Sequence, residues 1–245
     1  MTALWPALEL VAARGWPAAE AARIGGWRLY ASSGYSGRIN ACWPLGRPRL
    51  PAIEAVGRVE AWYAARRLPP RFKIVEGAAP GLVRRLVERG YQSGPATQTM
   101  VGPTADLADP NVKVAEAADA DFVRVFTADQ GDDPGDAQER LEALGQIPAP
   151  RFFATAREAE PAAIGVCAVE GDWAGILAMR TDPQYRRRGF ARRVLSTLLT
   201  SAKGAGATRS YLQVEAQNAP AVELYRGAGF EYAYSYRYYL QNTAP

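Results

Sequence analysis

The sequence predicts an α/β protein with mixed sheets, built as two tandem units that are each a mostly antiparallel sheet flanked by helices. Three observations lead there. Runs rich in Val, Ile and aromatic residues alternate with stretches of helical apolar spacing and are punctuated by Gly and Pro. Leu86–Tyr91 aligns with Tyr225–Phe230, and Phe72–Val75 with Tyr211–Val214, at one common offset, so that hairpin, long helix, strand, helix-Gly-aromatic and strand occur twice. Finally, the basic turn Arg186-Arg187-Arg188-Gly189-Phe190-Ala191 lies between a strand-like Trp173–Thr181 and a helix-like Phe190–Lys203.

Taken in order, Trp5–Arg14 and Pro17–Ile24 read as two short helices, the second with Pro in its first turn and Gly25-Gly26 as the stop. Trp27–Ser32 and Ile39–Pro44 read as strands of a hairpin around Ser33–Gly37. Apolar spacing predicts a helix from Ile53 to Arg66, which Leu68-Pro69-Pro70 ends because Pro cannot continue it. Phe72–Val75 follows as a buried strand, Pro80–Arg89 as a helix closed by Gly90, and Thr97–Val101 as a strand. Gly102–Asn111, rich in Pro, Asp and Ala, predicts a connection, and the boundaries expected are a first domain at residues 1–104, a linker at 105–111 and a second domain at 112–245. In that second domain Val112–Ala115 is a strand, Asp119 caps a helix to about Thr127, and an acidic loop Asp129–Asp136 precedes a helix Ala137–Gly145. Phe152–Arg157, Ile164–Glu170 and Trp173–Thr181 form an antiparallel meander, and Arg209–Glu215 is a strand.

Composition removes whole classes of chemistry. The 245 residues contain no histidine, which excludes Ser-His-Asp, Cys-His and His-metal sites, and no metal is expected. Cys42 and Cys167, the two cysteines, lie in apolar runs and make neither a disulfide framework nor a metal signature. A formal net charge of +4 argues against a dedicated nucleic-acid binder, and Arg186, Arg187, Arg188, Arg192 and Arg193 have only Tyr185 and Phe190 as neighbouring stacking aromatics. No signal-like start or membrane-length apolar run is present, so a cytoplasmic location is the expectation and no membrane partner is foreseen.

A strand that runs into a basic glycine turn and then a helix gathers unpaired N–H groups, the positive end of the helix dipole and guanidinium charge at one place. That place suits a phosphate, and Gly189 would let the backbone approach it closely. The arrangement Arg-x-x-Gly-x-Ala resembles the coenzyme A pyrophosphate loop of the GNAT N-acetyltransferase superfamily. Downstream, Asn218-Ala219-Pro220-Ala221-Val222-Glu223-Leu224-Tyr225-Arg226-Gly227-Ala228-Gly229-Phe230 is similar to that superfamily's N-x-x-A-x-x-L-Y-x-x-x-G-F segment. The resemblance covers about Val112 to Leu240.

What the resemblance implies is acetyl transfer from acetyl-CoA to a primary amine of a small molecule or peptide by direct attack on the thioester, with a coenzyme-binding but non-catalytic sensor or scaffold as the alternative. Met179, Arg180 and Thr181 would pair with the pantetheine arm, and Arg186, Arg187, Arg188, Gly189, Phe190, Ala191 and Arg192 would hold the pyrophosphate. A backbone N–H near Ala178–Arg180 would face the oxyanion. Tyr225 is either the acid that protonates the departing thiolate or a packed aromatic, and Asn218 either holds the coenzyme or caps its helix. Glu215, Glu170 and Asp172 are the carboxylates available as base, with Glu215 preferred. The acidic segment Gln130-Gly131-Asp132-Asp133, with Asp136, lies where a cationic acceptor would be met. The first copy departs where this chemistry would be: Leu45–Pro51 has prolines in place of amide donors, and Ala79 and Leu86 stand where Asn218 and Tyr225 stand, so a degenerate first domain without its own coenzyme site is expected.

Overall fold

The computed structural model describes residues 4–128 and 133–241. Its helices are α1 (Trp5–Gly15), α2 (Ala52–Ala64), α3 (Pro80–Glu88), α4 (Ala120–Thr127), α5 (Pro134–Gly145), α6 (Phe190–Gly204) and α7 (Ala219–Arg226). Its strands are β1 (Glu20–Ile24), β2 (Trp27–Ala31), β3 (Cys42–Pro44), β4 (Arg71–Val75), β5 (Tyr91–Pro103), β6 (Val112–Ala115), β7 (Arg151–Arg157), β8 (Pro161–Glu170), β9 (Trp173–Thr181), β10 (Arg209–Glu215) and β11 (Glu231–Gln241). The chain forms two compact units that interleave in sequence. One holds residues up to Gln98, 215–217 and those from Tyr234 onward; the other holds Thr99–Val214 and Asn218–Ala233. The expected repeat is present as element order: β2-β3, α2, β4, α3, β5 in the first half and β8-β9, α6, β10, α7, β11 in the second.

In the first unit the strands run in the order β1-β2-β3-β4-β11-β5. Pairing is antiparallel between β1 and β2, between β2 and β3 and between β4 and β11, whereas β3 and β4 are parallel through Cys42 and Phe72. The expected helix Pro17–Ile24 is instead β1, preceded by irregular backbone. Ile24 pairs with Trp27 across Gly25-Gly26, and Gly25 takes φ +56°, so the glycines that read as a helix stop are a two-residue hairpin turn. The slight helix preference of an Ala-rich run is smaller than what strand pairing against β2 supplies. The second hairpin strand starts at Cys42 rather than Ile39, because Asn40 is used in the connection: its Oδ1 accepts from the N–H groups of Ser32 (2.7 Å) and Gly34 (3.1 Å).

This unit buries charge. Glu9 of α1 and Lys73 of β4 are almost wholly enclosed, at 1% and 3% exposure, and pair at 2.5 Å. Tyr234 Oη donates to the other Glu9 oxygen at 2.7 Å, while the Lys73 ammonium sits 3.8 Å from the Trp43 ring centre and 4.0 Å from that of Tyr236. A buried ion pair persists only with its remaining hydrogen bonds satisfied, and here a phenol and two aromatic faces assist.

In the second unit the order is β5-β10-β9-β8-β7-β6, antiparallel from β6 to β9 and parallel between β9 and β10. β8 is buried along nearly its whole length, since α6 and α4 pack against it, and this explains its unbroken apolar sequence. Asp119 caps α4 as expected, accepting from Phe122 N–H at 2.9 Å. β5 extends through Pro103, beyond the predicted Thr97–Val101, and the segment after it is fastened to α6. Asp109 N–H donates to Thr197 Oγ1 at 3.0 Å, Arg193 pairs with Asp109 at 2.6 Å, and Ser196 Oγ donates to the Leu107 carbonyl. No helix among the described residues is long and apolar enough to cross a membrane.

Candidate active site

β9 carries the first feature of the site. Its pairing with β10 runs from Trp173 opposite Arg209 to Ile176 opposite Leu212 and stops there, while β9 stays paired to β8 on its other edge as far as Thr181. From Leu177 onward, β9 therefore has a backbone edge that β10 does not use. The register with β8 shifts in the same stretch: Ile164 faces Arg180 and Val166 faces Leu177, so that Gly165 alone stands opposite both Ala178 and Met179. Ala178 takes φ +51°, a left-handed conformation that a residue with a Cβ adopts only under constraint. A bulge of this kind re-aims backbone groups at the strand edge. Met179, Arg180 and Thr181 are half-buried beyond it. Arg180 turns away towards α4, where its Nη1 donates to the Phe126 carbonyl at 2.6 Å and its guanidinium lies 4.3 Å from that residue's ring centre.

The turn after β9 is the second feature. Asp182 accepts from Gln184 N–H at 3.1 Å and starts a short 3₁₀ turn, Pro183–Tyr185. Tyr185 is buried edge-on to Phe190, with ring centres 5.7 Å apart. The chain then turns through Arg187 at φ +62° and Gly189 at φ +84°, and Gly189 is the N-cap of α6. No side chain caps this helix, so the N–H groups of Phe190, Ala191 and Arg192 point out of its first turn towards whatever lies beyond. A Cβ built on Gly189 meets nothing within 4 Å, so within the protein the requirement for glycine here is its backbone conformation and not crowding.

The arginines of this turn divide. Arg188 is held by Glu158 at 2.5 and 2.7 Å and lies 5.4 and 5.7 Å from the rings of Tyr185 and Phe190. Arg193 is held by Asp109, whose carboxyl it keeps below the usual carboxylate range. Arg186, Arg187 and Arg192 are, like Arg188, exposed, and Arg186 Nε donates to the Thr181 carbonyl at 3.4 Å. The partners Glu158 and Asp109 carried no motif and were missed in the sequence; only the fold brings them to the turn.

Of the remaining expected residues, Asn218 is the N-cap of α7, its Oδ1 accepting from Ala221 N–H at 3.2 Å. Tyr225, 7% exposed, faces the edge of Phe230 with ring centres 6.0 Å apart, and its carbonyl receives the Phe230 N–H at 3.0 Å. Phe230 in turn requires Gly102, where a Cβ would lie 2.8 Å from the ring. Glu215 ends β10, is exposed and belongs to the first compact unit. Asp172 pairs with Arg209 at 2.7 Å in the turn before β9, and with Glu170 it lies at the opposite end of that strand from Ala178, roughly 20 Å away at the rise of an extended chain. Neither reaches the bulge. Gln130–Asp132 fall outside the described residues; Asp133 caps α5 through Gly135 N–H (2.7 Å), and Asp136 pairs with Arg140 (2.9 Å). Burial pushes the Cys167 thiol up to about 12, so it remains protonated in the core of β8.

Residues 2–239 match the family described as "Probable histone acetyltransferase Rv0428c C-terminal". The uncharacterized N-acetyltransferase YobR of Bacillus subtilis is 26% identical over 235 residues, covering 91% of this chain and 93% of that protein. The [ribosomal protein bS18]-alanine N-acetyltransferase of Escherichia coli is 32% identical over 91 residues, 37% of this chain and 62% of that enzyme. A solved GCN5-related N-acetyltransferase from Kribbella flavida superposes with a TM-score of 0.73 at 15% identity, covering 100% of this chain and 98% of that one.

Proposed function

The chain belongs to the family described as probable histone acetyltransferase Rv0428c C-terminal, among the GNAT N-acetyltransferases, and we propose that it transfers acetyl from acetyl-CoA to a primary amine. The observation that carries this reading is the end of the β9–β10 pairing at Ile176 and Leu212, followed at once by the Ala178 bulge and the uncapped start of α6. An unused strand edge suits an extended amide-bearing arm, and outward N–H groups at a helix start suit a diphosphate.

In this reading Met179–Thr181 pair with the pantetheine arm and the N–H groups of Arg187–Arg192 hold the diphosphate, helped by the exposed charges of Arg186, Arg187 and Arg192. Arg188 acts through Glu158, stiffening the turn. Acetyl-CoA supplies an activated acyl group on a thiol leaving group. A backbone N–H at Ala178–Arg180 stabilises negative charge on the acyl oxygen, and the left-handed Ala178 sets its direction. The Tyr225 phenol gives its proton to the departing sulfur. Glu215 is the carboxylate assigned to take a proton from the ammonium form of the acceptor. The first half of the chain is a degenerate copy that binds no coenzyme.

Thiol release from acetyl-CoA in the presence of an amine panel tests the reading. Tight coenzyme binding without release would mean a non-catalytic protein. Tyr225→Phe is expected to lower turnover by about 10²-fold, the usual scale for a lost general acid, with coenzyme affinity retained; a fully active variant would refute the proton assignment.

A further inference from the structure

The bulge in β9 has a physical cause on the neighbouring strand, and that cause is a residue without a motif. Gly165 faces Ala178 and Met179 together. A Cβ built there would fall inside the contact radius of Met179 Sδ, with Leu198 Cδ1 at 2.9 Å and Val194 Cγ1 at 3.0 Å completing the wall. The Met179 side chain thus occupies the space that any other residue at 165 would fill. It is pressed between β8 and the buried face of α6, where it packs against the main core of the unit. Two residues of β9 fit opposite one residue of β8 because the extra side chain has this recess to enter.

We infer that Gly165 and Met179 are a positioning pair: the recess at Gly165 seats Met179, and the seated side chain holds Ala178 in its left-handed conformation with its neighbouring N–H groups aimed at the reacting acyl oxygen. The inference rests on the acetyl-transfer reading for its catalytic consequence, while its structural half stands on the interlock alone. α6 joins the two features of the site through the same contacts. Val194 and Leu198, one and two turns beyond the start of that helix, form the recess wall, so the depth at which Met179 sits is referenced to the helix that carries the diphosphate turn. The Gly165 recess and the Met179 side chain face the core, on the side away from the coenzyme-pairing backbone of β9. It acts by fixing where β9 departs from its regular register.

Gly165→Ala, made in the whole chain, is the test, with Gly165→Ala/Met179→Ala as its rescue. The methyl group is expected to evict Met179 and shift the β8–β9 register, lowering kcat by at least tenfold while the KM for acetyl-CoA changes less. Removing the methionine side chain in that background reopens the space and is expected to recover a substantial part of the lost kcat. A crystal structure of Gly165→Ala reads the interlock without activity. If Ala178 keeps φ near +51° with Met179 still seated, the inference is overturned whatever the kinetics show. A displaced bulge in a protein that never releases thiol from acetyl-CoA, even as wild type, would instead uphold the interlock and remove the acetyl-transfer reading. A folded double variant that regains the Ala178 bulge and recovers no activity would overturn the positioning role.

Discussion

The two halves of this chain enter their long helices by turns that begin alike and end differently. In the second half, Arg187 at φ +62° stands three residues before the start of α6; in the first, Arg49 at φ +64° stands three residues before α2. At the N-cap they part. Gly189 takes φ +84° and leaves the first N–H groups of α6 facing outward, whereas Pro51 takes φ −54° and ψ 137° and contributes no N–H at all. The first turn is also covered by its own unit. Gly26 N–H donates to the Arg47 carbonyl at 2.7 Å, and a Cβ at Gly26 would lie 2.8 Å from the Gly46 Cα, so the β1–β2 hairpin tip rests directly on the backbone of residues 46–48. Charge follows the same division. Around the α6 turn, arginines remain at the surface, and Arg188–Glu158 is an exposed pair of the sort that contributes at most about 1 kcal/mol. The first unit encloses its ion pair between α1 and β4, where it serves the core. A repeated fold thus keeps its shape while one copy fills in the places the other leaves open.

The most damaging change to this contrast is Gly189→Val. It forces a branched side chain into a left-handed position without meeting any neighbour, so the fold should survive with a cost of about 1–2 kcal/mol. Coenzyme affinity measured by titration calorimetry should fall at least 100-fold, and a valine variant that binds normally would break the comparison. Next is Lys73→Met, which strands the Glu9 carboxylate in the first unit's core. Urea unfolding should show a loss of about 3–5 kcal/mol, with coenzyme affinity of the folded protein unchanged; a loss below about 1 kcal/mol would show that the pair is not needed there. The smallest effect is expected of Pro51→Gly. It restores an N–H donor to the first turn, yet the hairpin tip still covers residues 46–48, so calorimetry should still give one coenzyme per chain. Two per chain would show that proline alone had closed the first site.

Much of this was legible in the residues because short-range physics sets it. Asp119 caps α4, Gly90 sits at φ +82° after α3, and Gly189 sits left-handed before α6, each a position where one residue type answers one backbone need. The Pro17–Ile24 segment misled because its alanines state only a weak preference, and the partner strand that overrules it lies beyond a turn whose glycines fit either reading. Asn218 was readable as a cap from its spacing, and the structure puts its oxygen in that use. Gly165, Glu158 and Asp109 gave no local sign: a glycine in an apolar run and two surface acids acquire their meaning from residues 14, 30 and 84 positions away.

By itself the sequence determined which segments would be strands and helices over most of the chain, that they recur, and that one turn before a long helix keeps a glycine where its counterpart has prolines. These follow from periodicity, proline geometry and the freedom of glycine, which act within a few residues. Only the tertiary structure decided where β9 and β10 part, that Ala178 is bent out of register, and which arginines are already committed to acids of the protein. Those outcomes depend on side-chain volumes meeting across strands and helices, as at the recess of Gly165, and no window of neighbouring residues contains both sides of such a contact.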